Sequence, residues 1–98
     1  SGYIIHSDGK VFKCEGKETC DSTNVFKKLT QKEVQQLNEI LARYKLYELD
    51  YQSPHNVNRK IILFFGNSKK VYIWNPFGKD SIEEKLSKLY DKIESFLK

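Results

Sequence analysis

The chain has 98 residues, a formal net charge of +4 and 39% hydrophobic residues. That length suits a single domain, 1–98, with one modest core, and the balance of apolar and charged residues excludes a disordered tail. The 17 basic residues are scattered among 13 acidic ones, so the charge reads mainly as solvation and not as a polybasic binding run.

Tyr3 to His6 and Val11 to Cys14 flank Ser7-Asp8-Gly9-Lys10. Asp-Gly between apolar runs predicts a hairpin, because both residues tolerate positive φ. With Asp8-Gly9 as a two-residue loop, Ile5 faces Phe12 and Tyr3 faces Cys14 as one apolar face, and Ile4, His6, Val11 and Lys13 point the other way. Cys14 and Cys20 close a disulfide if the backbone turns back on itself, which points to an oxidising compartment; two free thiols are the alternative. Residues 15–28 read as polar and irregular, with a short strand at Asn24-Val25-Phe26.

Thr30 and Glu33 form a capping box, and Leu29 with Val34 a hydrophobic staple. Val34, Leu37, Ile40, Leu41 and Tyr44 then recur at helical spacing and mark one buried stripe. Leu46 to Tyr51 is expected to cross the sheet edge, and Gln52 to Arg59, with Pro54, to be the longest loop.

Lys60 to Phe65 and Lys70 to Trp74 predict a second hairpin. With Asn67-Ser68 at its tip, Phe64 faces Val71 and Ile62 faces Ile73, while Leu63 pairs with Tyr72 and Ile61 with Trp74 on the opposite face. Asn75-Pro76-Phe77-Gly78 breaks the strand. Asp80 or Ser81 caps a last helix with the stripe Ile82, Leu86, Leu89, Tyr90, Ile93 and Leu97. The expected fold is α+β with the order ββαββα, a four-stranded antiparallel sheet carrying both helices on one face.

Taking Phe64, Val71, Ile62 and Ile73 as the core set leaves Ile61, Leu63, Tyr72 and Trp74 on the far face as a candidate partner-binding surface, since exposed aromatic and aliphatic clusters mark such sites. The bland alternative is that the register runs the other way or that a loop covers the face. His6, His55, Cys14 and Cys20 match no zinc-ligand spacing, so neither metal nor cofactor is expected. No phosphate cradle or nucleophile elbow is present, and a Cys-His nucleophile would need Cys14 or Cys20 beside His6 together with a third group to orient the imidazole, so a non-enzymatic role is expected. Tyr72 and Trp74 beside Lys60, Lys69 and Lys70 leave single-stranded nucleic acid as an alternative partner. Edge-strand peptide binding or inhibition is a third option.

The segments "SDGKVFKCEGK", "LTQKEVQQLNEIL", "YKLYELD" and "KIILFFGNSKKVYIWN", closed by an amphipathic helix, resemble an uncharacterised family of small extracytoplasmic domains in bacterial lipoproteins of the Bacteroidetes type. The family's second hairpin is commonly threonine-rich, whereas this one is aliphatic and aromatic. The resemblance implies export and supplies no site residues. The chain contains no Met, and Ser1-Gly2 reads as the start of a processed chain or a remnant of cloning. No stretch approaches the ~20 apolar residues of a membrane-spanning helix. The expectation is an extracytoplasmic domain that binds an unidentified macromolecular partner, protein before nucleic acid.

Overall fold

The computed structural model describes residues 2–15, 19–20, 24–53, 58–65 and 67–97. The strands are β1 (Gly2–His6), β2 (Lys10–Glu15), β3 (Thr19–Cys20), β4 (Lys27–Lys28), β5 (Tyr51–Gln52), β6 (Arg59–Phe65) and β7 (Ser68–Trp74). The helices are α1 (Gln31–Arg43) and α2 (Ser81–Leu97), with a 3₁₀ turn at Leu46–Glu48.

The chain is α+β, but its sheet is mixed and not four-stranded antiparallel. The spatial order is β3-β2-β1-β6-β7-β5, and β4 also pairs with β2. The two hairpins meet through β1 and β6, which run parallel, with Ile4 opposite Ile62 and Ile5 opposite Leu63. A second parallel contact sets Tyr51 opposite Tyr72 at the β5 edge. The strand expected at 24–26 falls instead at Lys27–Lys28, although Phe26 N–H already donates to the Val11 carbonyl at 2.8 Å.

Both hairpin registers differ from those that the turn residues suggest. In the first, Ile5 pairs with Val11 and Ile4 with Phe12. Three residues, Ser7 to Gly9, therefore span the turn, with Gly9 at φ 96°. A Cβ there would meet the Leu29 carbonyl oxygen at 2.7 Å, so the position requires glycine for both conformation and space. The one-residue slip turns β2 over relative to β1. In the second hairpin the ladder closes at Phe65 and Ser68, with Ile61 opposite Tyr72 and Arg59 opposite Trp74. This slip of two keeps side-chain parity, so the two faces stay sorted.

The helices begin as their sequences dictate. Glu33 N–H donates to Thr30 Oγ1 at 3.2 Å, and Thr30 N–H donates back to Glu33 Oε1 at 2.9 Å. Ile82 N–H donates to Asp80 Oδ1 at 2.8 Å at the start of α2. At the far end of α2, the Lys27 ammonium donates to the Phe96 carbonyl, a cation where the helix dipole is negative. Leu37 and Leu41 of α1 and Leu86, Leu89 and Ile93 of α2 share one core with Tyr3, Ile5, Val11, Ile61, Leu63, Tyr72 and Trp74. Both helices thus cover the same face.

That assignment overturns the proposed exposed set. Ile61, Tyr72 and Trp74 are 0% exposed and Leu63 is 4% exposed. They face the helices, whereas Ile62, Phe64 and Val71 lie on the other side. The physical reason is fit: the larger side chains fill the deeper layer between sheet and helices. Trp74 Nε1–H donates to Ser87 Oγ on α2 at 3.0 Å, and its ring meets Tyr90 edge-on at 5.9 Å. Tyr72 O–H donates to the Leu46 carbonyl at 2.5 Å, a buried bond. Each polar tip has found a partner within the core.

Candidate functional site

The sheet face away from the helices is not a bare platform either. Ile4, Phe12, Cys14 and Ile62 form a second cluster with no member more than 8% exposed, and Phe64 and Val71 pack against it. His6 extends this cluster, stacked on Phe64 with ring centroids 4.8 Å apart and edge-on to Phe12 at 5.3 Å. Cys14 is disulfide-bonded, and the β2–β3 ladder sets Cys20 directly opposite it.

The nucleic-acid alternative loses its stacking surface with the burial of Tyr72 and Trp74. Its lysines also part company. Lys60 and Lys69 share the face of Ile62 and Phe64, whereas Lys70 lies across from Leu63 and pairs with Asp50 at 3.6 Å. The β7 edge is paired with β5 at Tyr72 and Ile73 and extended by Ser53 N–H to the Ile73 carbonyl at 2.8 Å. Lysines along the rest of β7 blunt strand addition.

A different feature is built where the two parallel strands end. An apolar pocket of about 160 Å³ lies between α1, α2 and the C-terminal ends of β1 and β6. Its walls are Ile5, Leu37, Leu41, Leu63, Leu89 and Ile93, all among the core residues. Ser7 and Asn38, which also line it, are exposed, so the pocket reaches the surface beside them. Phe64, Phe65 and Tyr47 complete this end. The parallel pairing continues to the mouth, with Ser7 N–H donating to the Phe64 carbonyl at 3.0 Å.

The mouth is polar, and among the described residues its lining holds neither an acid nor a lysine. Tyr47 O–H donates to Asn38 Oδ1 at 2.7 Å, and its ring meets Phe65 edge-on at 5.1 Å. Burial raises the Tyr47 phenol above its ordinary pKa, which keeps it a neutral donor. The turn after α1 places this tyrosine: Lys45 adopts the left-handed conformation at φ 56°, and Leu46–Glu48 then coils as a 3₁₀ turn. The arrangement offers apolar volume inside and neutral hydrogen-bonding groups at the rim. Such a lining suits an uncharged apolar group.

Of the four residues singled out as partner-binding, Leu63 alone lines the pocket; Ile61, Tyr72 and Trp74 lie in the core. His6 stands on the pocket wall, while His55 lies outside the described residues. Among the described residues, no three His, Cys, Asp or Glu side chains gather as a metal site. Among them also, no helix is long and apolar enough to cross a membrane. Sequence reasoning read Leu37, Leu41, Leu89 and Ile93 as core and did not see the pocket. An apolar residue beside a void carries the same periodic signal as one packed solid. No protein-family model, no curated protein and no solved structure matches the chain.

Proposed function

We propose that this is a non-enzymatic, extracytoplasmic binding domain that receives one phenyl-sized apolar side chain of a protein partner in the pocket between α1 and the ends of β1 and β6. The observation that carries the reading is the pocket itself. Its volume of about 160 Å³ is close to that of the ~150 Å³ apolar cavity known to bind benzene. The neutral Ser7, Asn38 and Tyr47 groups at its mouth suit the amide groups of a peptide, and apolar anchors in desolvated pockets dominate protein recognition. The bridged Cys14 supports the compartment, because disulfides persist where the surroundings are oxidising.

Titration of the ¹⁵N-labelled domain with N-acetyl-phenylalaninamide tests this. Shifts are expected at the amides of Ile5, Ser7, Asn38, Tyr47 and Leu63, with little change at Trp74. Absence of saturable shifts at those positions refutes the proposal. Tighter binding of octanoate than of the phenyl probe would reassign the pocket to an acyl chain.

A further inference from the structure

At the opposite end of the sheet from the pocket, one aromatic side chain is held out into solvent. Phe77 is 79% exposed, more than Phe26 at 50% or Val25 at 46%. It is not on a loose loop. Phe77 N–H donates to Asn75 Oδ1 at 2.9 Å, and Gly78 N–H donates to the Asn75 carbonyl at 3.0 Å. Asn75 N–H in turn donates to Glu83 Oε2 at 3.1 Å, and Glu83 is buried. The same carboxylate fills the space a side chain at Gly78 would need. A rigid turn clasped to the first turn of α2 therefore presents a phenyl ring at low entropic cost.

Resting on the pocket reading above, we infer that the partner is a second copy of this chain, whose Phe77 enters the pocket. Three observations carry this. The first is size, since the pocket accepts one phenyl ring. The second is placement. β7 starts beside the pocket end of β6 and runs seven residues to Trp74, about 23 Å at ~3.3 Å per residue, before the chain reaches Phe77. A chain cannot fill its own pocket, so insertion joins two molecules. The third is charge. Exposed Asp80 follows Phe77 by three residues and the Glu83 carboxylate lies against Asn75 and Gly78 on either side of it, against one lysine, Lys79. Beside the pocket, Lys69 is exposed and reaches over the Phe64 ring at 5.7 Å, while Lys10 is matched by Asp8 at 3.7 Å.

A phenyl ring contributes on the order of 150–250 Å², far below the ~1,200 Å² of a stable complex. The association is consequently weak and visible only at high concentration. Sedimentation and ¹⁵N spectra of the wild type, recorded from micromolar to millimolar protein, should show the mean mass rising while the amides of Ser7, Asn38, Phe77 and Gly78 shift together. Phe77→Ser should weaken association about tenfold or more and still bind N-acetyl-phenylalaninamide. Asn38→Trp, which covers the mouth from an exposed helix position, should not self-associate but should bind Phe77→Ser, each supplying what the other lacks.

A wild type that stays monomeric at millimolar concentration while binding the phenyl probe overturns self-association and leaves the pocket reading intact. Association that survives in Phe77→Ser, or a mixture of the two variants that stays monomeric, overturns it equally. If the probe itself fails to bind, both readings fall.

Discussion

Trp74→Ala separates a buried indole from an exposed one by magnitude. The side chain is fully buried, donates to Ser87 and packs edge-on against Tyr90. Truncating a Trp in such a place costs about 3–5 kcal/mol, transfer and cavity terms together. A domain of this size is stable by only about 5–15 kcal/mol, and each kcal/mol shifts Tm by roughly 4–8 °C. The variant should lose about 12–40 °C, and its urea midpoint should fall in proportion with m unchanged. Phe77→Ala is the internal control, since exposed positions change stability by no more than ~0.5 kcal/mol. Both are read by far-ultraviolet circular dichroism, because Trp74 is the chain's only tryptophan. A Trp74→Ala variant within about 1 kcal/mol of wild type would mean that α2 does not cover β7, and the core assignment would fail.

Tyr72→Phe removes one of two donors to the buried Leu46 carbonyl, which keeps the Leu49 N–H at 3.2 Å, and should cost about 0.5–1.5 kcal/mol in urea unfolding at neutral pH. Burial first, then the nearby Asp50 and Tyr47 charges, pushes the Tyr72 phenol up to about 12. The unfolded phenol titrates near 10, so this contribution is complete below about pH 10 and is lost as pH rises toward 12. The alkaline decline in stability should be shallower in Tyr72→Phe; an unchanged slope refutes the burial of that hydroxyl, with Tyr3, also raised by burial, supplying the remainder. Reduction of the Cys14 disulfide should lower stability by roughly 2 kcal/mol for so short a loop, seen as a lower urea midpoint with reductant present. Gly9→Ala should destabilise by more than ~1 kcal/mol, because the φ of 96° and the Leu29 carbonyl both oppose a Cβ. Leu37→Phe should fill part of the pocket, raise Tm by a few degrees and abolish binding of the phenyl probe; a lower Tm would mean that the wall is already packed solid.

The sequence disclosed what is local. Thr30, Glu33 and the stripe from Val34 to Tyr44 specify α1, and Asp80 with the stripe from Ile82 to Leu97 specifies α2, through contacts within a few residues. Phe96, buried in α2, escaped the stripe because its neighbour Leu97 fits the helical period as well. The registers were less legible. Asp-Gly serves a two-residue turn and also a three-residue turn ending in a positive-φ glycine, and that ambiguity alone turned Val11 from outward to inward. In β6 and β7 both faces are apolar, so alternation could not say whether Ile61, Tyr72 and Trp74 or Ile62, Phe64 and Val71 meet the helices. Pairing of β1 with β6 joins residues more than fifty positions apart, and no turn signal announces such a contact.

The pocket also bears on why so small a domain carries a disulfide. Apolar volume left unfilled beside Leu37, Leu41 and Leu63 forgoes contacts that a closed core would make, and the opening beside Ser7 and Asn38 keeps the cost below that of a sealed cavity of the same size. Even a modest loss counts against the narrow margin of a domain of this length. The Cys14 bridge, worth roughly 2 kcal/mol, adds stability from outside the site, in the cluster on the other side of the sheet. A larger side chain at Leu37 or Val34, both on the wall, would narrow the pocket, and the sequence carries Leu and Val there instead. Apolar volume of this kind, with Ser7, Asn38 and Tyr47 at its mouth, suits the apolar side chain that the proposed function places in it.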